Sequence, residues 1–187
     1  SIMPTALFRF TLLAMLLSAT QVSRAHAVHR DLTNHYVYST ELTAFTKWAR
    51  LLPSFNVNKT ATHTLRHGEG NSAPTLLSKL ANINATVNDY AYIEDHHNWA
   101  KSDYWASLDE FIKQGGGDCE DFAIAKYTLL KAKGLPSQQM QILIVEDQQQ
   151  AGMVHAVLAV QDTQGTFYLL DNQSHDILTL TRATHYK

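Results

Sequence analysis

The chain has one cysteine, Cys119, set in Gly115-Gly116-Gly117-Asp118-Cys119-Glu120-Asp121. A single thiol between glycines and acids is a candidate nucleophile. The glycines permit unusual backbone angles and close approach of a second chain. Asp118 is placed to N-cap a helix, with Asp121 three residues on as in a capping box. That helix should run to about Lys133 and stop at Gly134-Leu135-Pro136. Cys119 then falls in its first turn, where unpaired N–H groups and the helix dipole favour a thiolate.

A thiolate needs a base. Residues His155 to Gln161 and Phe167 to Asp171 read as strands, and Asp162-Thr163-Gln164-Gly165-Thr166 between them reads as a turn, which predicts an antiparallel hairpin. His155 and Asp171 are each eight residues from Thr163, so they should face each other across the ladder and hydrogen-bond. Nucleophile, base and orienting carboxylate then follow in the order Cys119, His155, Asp171. Each residue also has a plainer reading: a small buried thiol, a strand-end histidine and an aspartate in a turn. The combination favours the triad. Its oxyanion hole would use the Cys119 N–H and a second donor that the sequence does not identify.

The acids beside the cysteine work against it, because negative charge near sulfur raises its pKa. A bound cation would remove that conflict, and clustered hard oxygen ligands suit Ca²⁺ better than Zn²⁺, although no EF-hand spacing is present. The alternative is that Asp118 and Asp121 only cap the helix while Glu120 faces water. Residue types alone leave both readings open.

The blocks Asp103-Tyr104-Trp105, Glu110-Phe111, Gly116-Gly117-Asp118-Cys119-Glu120-Asp121-Phe122-Ala123-Ile124-Ala125-Lys126-Tyr127, His155-Ala156-Val157-Leu158 and Leu170-Asp171-Asn172 resemble the bacterial transglutaminase-like cysteine proteinases, in particular the LapG-type periplasmic proteases. The resemblance spans about Trp48 to Asn172. It implies an α+β, papain-like or transglutaminase-like fold, with a helical N-terminal half packed on an antiparallel sheet. It also implies Cys119, His155 and Asp171 as the catalytic residues, and Ca²⁺ held beside them by Asp118, Glu120 and Asp121. The substrate it implies is a large surface adhesin, cut near its N-terminus so that the biofilm disperses. The partner it implies is a LapD-type inner-membrane receptor that senses cyclic di-GMP. Relatives tend to carry a proline where Ser107-Leu108-Asp109 precedes Glu110, and they continue past His185-Tyr186-Lys187, so a truncated product or short variant is one expectation.

Residue patterns give the same fold class. Leu42, Phe45, Trp48, Ala49 and Leu52 recur at helical spacing up to Pro53, as do Leu76, Leu77, Leu80, Ile83, Val87 and Tyr90 after Pro74. Gln139 to Val145 reads as a strand ahead of the hairpin. Helices followed by strands indicate α+β. At the N-terminus, Arg9, an apolar run from Phe10 to Ala19 and Ala25-His26-Ala27 have the layout of a secretory signal peptide, too short to span a bilayer comfortably. Residues 1–27 are therefore expected to be removed, leaving one protease domain over 28–187 in the periplasm; an uncleaved anchor is the alternative. In an oxidising compartment an unpaired thiol is worth noting. A formal charge of -2 with no basic run excludes an obvious nucleic-acid surface.

Two histidine clusters attract attention. His63, His67 and Glu69 sit among glycines and read as a loop, and Glu94-Asp95-His96-His97 reads as a solvated stretch. Tyr104 and Trp105 suit either a peptide groove or the core. The expected activity is endopeptidase cleavage through an acyl-enzyme. The alternatives are acyl transfer to an amine, as in true transglutaminases, and a catalytically inactive calcium-dependent binding module.

Overall fold

In the computed structural model, residues 43–55 and 75–187 are described. The expected signal-peptide segment, Leu42, and the His63, His67 and Glu69 group lie outside them. Helix α1 (Thr43–Leu51) passes into a 3-10 turn over Leu52–Phe55. Its buried stripe is Trp48, Leu51 and Phe55, whereas Ala49 and Leu52 face outward. This corrects the phase expected from the sequence. Pro53 cannot donate a helical hydrogen bond, and the tighter turn brings Phe55 onto the Trp48 face, with ring centroids 4.8 Å apart. Tyr127 closes the cluster at 5.1 Å from Trp48 and 5.0 Å from Phe55.

Helix α2 (Leu76–Asn88) starts at Thr75, whose hydroxyl accepts from the Ser78 N–H at 3.2 Å. It buries Leu80, Ile83 and Val87, as the helical spacing predicts, and also Asn84. A two-residue strand β1 (Ala91–Tyr92) and a single turn α3 (Asp95–Asn98) follow. Helix α4 (Leu108–Gln114) opens on a complete capping box. The Ser107 hydroxyl accepts from the Glu110 N–H at 3.3 Å, and the Glu110 carboxylate accepts from the Ser107 N–H at 2.7 Å. Gly115 ends α4 at φ +77°, and β2 (Gly116–Gly117) pairs in parallel with β1. A Cβ on Gly116 would lie 1.9 Å from the Ala91 carbonyl oxygen, so only glycine allows this pairing.

Helix α5 (Cys119–Ala132) stops at Lys133, with Gly134 at φ +88°. Antiparallel strands β3 (Met140–Asp147), β4 (Met153–Gln161), β5 (Phe167–Leu170) and β6 (Leu178–Thr179) form one sheet in that order. Helix α5 crosses β4, and Ile124, Leu129, Leu158, Val160 and Leu170 are buried in the same core. The described residues from Lys47 onward form one compact unit. The helical half, the sheet and the cysteine-bearing helix stand as the sequence predicts, giving a mixed α+β fold.

The β4–β5 register differs from the expected one. Leu158 pairs with Leu170, so continuing the count sets Asp171 opposite Val157 and places His155 two residues further along β4. His155 and Asp171 are thus diagonal neighbours on one face. The turn centre lies at Gln164, one residue later than assumed, because Asp162 Oδ1 accepts from both the Gln164 and Thr166 N–H groups and Gly165 takes φ +93°.

Candidate active site

Cys119 occupies the first turn of α5 behind the N-cap Asp118. The thiol donates to Glu120 Oε2 at 3.0 Å, and the Ala156 N–H of β4 is near enough to act on the sulfur's charge. Ala156 directly follows His155, so α5 delivers the sulfur to the stretch of β4 that carries the histidine. Burial, then the Glu120 charge and hydrogen bond, push the Cys119 thiol far above its usual range; the Ala156 N–H opposes them and Asp118 adds to them. Of the acids expected to oppose the thiolate, Glu120 and Asp118 do so, after burial as the largest cause.

His155 is buried, with Nε2 2.8 Å from Asp171 Oδ1. Burial works against the Asp171 carboxylate. Donation from His155, from the Gln173 N–H at 2.9 Å and from the Tyr186 hydroxyl nevertheless holds its pKa below the ordinary value. An ionised carboxylate only accepts hydrogen bonds, so Nε2 carries a proton and Nδ1 of neutral His155 is left as the basic nitrogen. Helix α2 fixes the segment that carries Asp171. Asn88 Nδ2 donates to the Asp171 and Ser174 carbonyls at 2.8 and 2.9 Å, and Asn84 Nδ2 to the Ser174 and His175 carbonyls at 2.8 and 3.2 Å.

A cluster of oxygen donors adjoins the sulfur. One carboxylate oxygen from each of Asp95, Asp118 and Glu120 lies within 4.8 Å of the others. Asp95 is buried, although the sequence reading left it in a solvated stretch; Glu94, His96 and His97 around it are exposed, with Glu94 Oε2 3.2 Å from His96 Nδ1. Its Oδ2 accepts from the Tyr104 N–H. Its Oδ1, like Asp118 Oδ1, is buried without a hydrogen-bond partner. Burial first, then the charges of Glu120, Asp121 and Asp95, raise Asp118 to about 9.

Asp121 stands apart from this cluster. Its Oδ1 accepts from the Ala106 N–H at 2.6 Å and its Oδ2 from the Asp118 N–H at 3.4 Å. It is fully buried, and that burial raises it to about 7 against the pull of the Ala106 N–H. A Cβ on Gly117 would lie 2.2 Å from Asp121 Oδ2, so this glycine makes room for the carboxylate.

The aromatic pair ahead of α4 divides its roles. Trp105 packs partly buried against the core, while the Tyr104 hydroxyl donates to Glu110 Oε1 at 2.7 Å and its ring lies 4.6 Å from Trp99. Tyr92, on β1, is 57 % exposed, and burial of its phenol followed by the Cys119, Asp118 and Glu120 charges raises it to about 12. It stands at the edge of the site. Asp95, Tyr92, Asn88 and Tyr186 were not found from the sequence. Asp95 and Asn88 come from elements far from the cysteine in sequence, and Tyr186 lies beyond the last recognisable block.

A buried histidine–carboxylate pair, with a cysteine at the start of the helix that packs on the histidine's strand, supplies the residue types of a thiol-enzyme triad. The chain belongs to the bacterial transglutaminase-like cysteine proteinases, whose family model matches residues 54–187. Among solved structures it is similar to calcium-bound LapG of Legionella pneumophila, with 26% identity, a TM-score of 0.57 and coverage of 87% of this chain and 80% of that one. EGTA-treated LapG from the same organism matches at 26% identity and a TM-score of 0.56, covering 87% and 77%. Comparison with curated proteins finds no match. Among the described residues, no helix is long and apolar enough to cross a membrane.

Proposed function

We propose that the chain is a calcium-dependent cysteine endopeptidase of the periplasm. The observation that carries this reading is the buried 2.8 Å His155–Asp171 pair, with His155 on β4, the strand against which the Cys119 helix packs. His155 Nδ1 takes the thiol proton, and the sulfur attacks the peptide carbonyl carbon. The carbonyl electron pair moves to oxygen, beside the unpaired N–H groups of the α5 N-terminus. As the oxyanion collapses, the imidazolium protonates the departing amine, leaving a thioester. Water, deprotonated by His155, then releases the acid and restores the thiol. Asp171 orients the ring and stabilises its positive form throughout.

The cluster of Asp95, Asp118 and Glu120 fits a divalent hard cation. All donors are oxygen, and two of the oxygens are buried without partners. Bound there, Ca²⁺ would supply the positive charge that offsets carboxylates now raising the Cys119 pKa. Likeness to a structure described as calcium-bound supports this reading. Asp121 is then a buttress that holds the N-terminus of α5, and Asp95 is the third ligand in its place.

From the resemblance, the substrate is the N-terminal region of a large surface adhesin, released to promote biofilm dispersal, and the controlling partner is a LapD-type cyclic di-GMP receptor. The test incubates such an adhesin segment from the same genome with the protein in calcium, in EGTA, and as Cys119→Ala. Calcium-dependent new termini that vanish in the variant are expected. Cross-linked products would indicate acyl transfer, and calcium-dependent binding without turnover would indicate an inactive module.

A further inference from the structure

We infer that Tyr186 is a positioning residue for the Asp171 carboxylate and, through it, for the imidazole of His155. The inference rests on the reading of His155 as the base and Asp171 as its orienting group. A carboxylate turns easily about its last bond, whose torsional preference is broad, so the number and placement of its donors decide where its oxygens point. Oδ1 has two donors, His155 Nε2 at 2.8 Å and the Gln173 N–H at 2.9 Å. Oδ2 has the Tyr186 hydroxyl. Together the three donors fix the carboxylate plane, and without Tyr186 a buried oxygen would lose its partner and the plane would be free to turn.

The phenol is itself held in place. Tyr186 bridges Asp147 at the end of β3. On either side, the Lys187 carbonyl accepts from the Glu146 N–H at 2.8 Å, the Lys187 N–H donates to the Glu146 carbonyl at 3.0 Å, and the His185 carbonyl accepts from the Gln148 N–H at 2.9 Å. Residues His185–Lys187 thus lie as a short antiparallel segment along β3. They present an 8 % exposed tyrosine to the catalytic carboxylate, with its ring 6.1 Å from that of His155. Burial, followed by the Asp171 hydrogen bond and charge, keeps the phenol protonated, so it acts only as a donor toward Asp171. The other charged groups facing this pair are Lys126 on α5, which acts on Asp171, and Asp147, which acts on Tyr186.

Tyr186→Phe deletes the hydroxyl and keeps the ring. With Asp171 fixed, His155 should be held as the Nε2–H tautomer; with the carboxylate free to turn, both tautomers should appear. The measurement is the ring ¹⁵N shifts of His155 at neutral pH in wild type and variant, assigned with His155→Gln, together with melting temperature and peptide hydrolysis. A single tautomer in the wild type and a mixture in the variant, at similar melting temperature, is expected. Alongside it, kcat should fall about tenfold with KM within about twofold. An unchanged tautomer ratio overturns the inference whatever happens to kcat. Tautomer mixing in a protein whose wild type hydrolyses nothing would overturn the proposed function and leave the positioning role standing.

Discussion

The Cys119 thiol donates to the Glu120 carboxylate at 3.0 Å, so the proposed nucleophile and a proposed cation ligand share one hydrogen bond. After burial, Glu120 is the main cause of the raised thiol pKa. Removing its charge in Glu120→Gln should lower that pKa and raise the thiolate fraction near neutral pH. Because the chain has one cysteine, iodoacetamide reports on Cys119 alone. Wild type should be alkylated at least about tenfold faster with calcium than with EGTA, since one pKa unit is tenfold in thiolate. The variant should react faster than wild type in EGTA and gain little from calcium. An EGTA rate no higher than wild type would remove Glu120 from control of the sulfur.

Asp95 and Asp121 should separate in a calcium titration. Asp95→Asn removes a carboxylate from the three-residue cluster and is expected to weaken calcium binding by roughly 10–100-fold, the scale of losing a metal-site group. Asp121→Asn alters a carboxylate already committed to the Ala106 and Asp118 N–H groups. It should instead cost about 1–3 kcal/mol of stability for a buried donor left unpaired. Calorimetry that found the larger calcium loss in Asp121→Asn would reverse these roles.

That pair of aspartates shows where the sequence was legible and where it was not. Chemistry written in consecutive residues, such as the capped cysteine helix ended by Gly134, follows from local rules of capping and dipole. Asp121 was grouped with its neighbours because adjacency in sequence resembles adjacency in space, yet in the first turn of a helix neighbouring side chains diverge and Asp121 points inward. Asp95 joins the cluster only because β1 pairs with β2, a parallel contact of two residues that has no local signature. The His155–Asp171 contact was anticipated from a register two residues off. A diagonal pair on the same face remains within reach of these side chains, so parity mattered more than the register itself.

Asn88 ties α2 to the segment that carries Asp171, through donations at 2.8 and 2.9 Å to two backbone carbonyls. Asn88→Ala leaves both carbonyls without these donors and should cost about 1–3 kcal/mol in urea unfolding. Because one acceptor is the Asp171 carbonyl itself, kcat should fall while KM stays close to wild type. A variant that is destabilised yet keeps full kcat would show that the segment holds Asp171 without α2.

Lys126 gives the clearest pH test of the core behind the site. It is fully buried on α5, two turns after Cys119, with no hydrogen-bond partner for Nζ and the Phe122 ring centroid at 5.8 Å. Burial lowers its pKa to about 7 against the opposing charge of Asp171, whereas an unfolded lysine titrates near ~10.4. The folded pKa lies below the unfolded one, so between about pH 7 and 10 the unfolded chain binds more protons and this residue makes stability rise with pH. Below about pH 7 the cost of the buried ammonium is present in full. Lys126→Met removes that cost, so its stability advantage over wild type should be largest at pH 6. The advantage should then shrink by up to ~1.4 kcal/mol per pH unit toward pH 10. Urea unfolding of both proteins at pH 6, 8 and 9.5 reads the difference directly, and a difference that does not change with pH would mean that Lys126 keeps an ordinary lysine pKa in the fold.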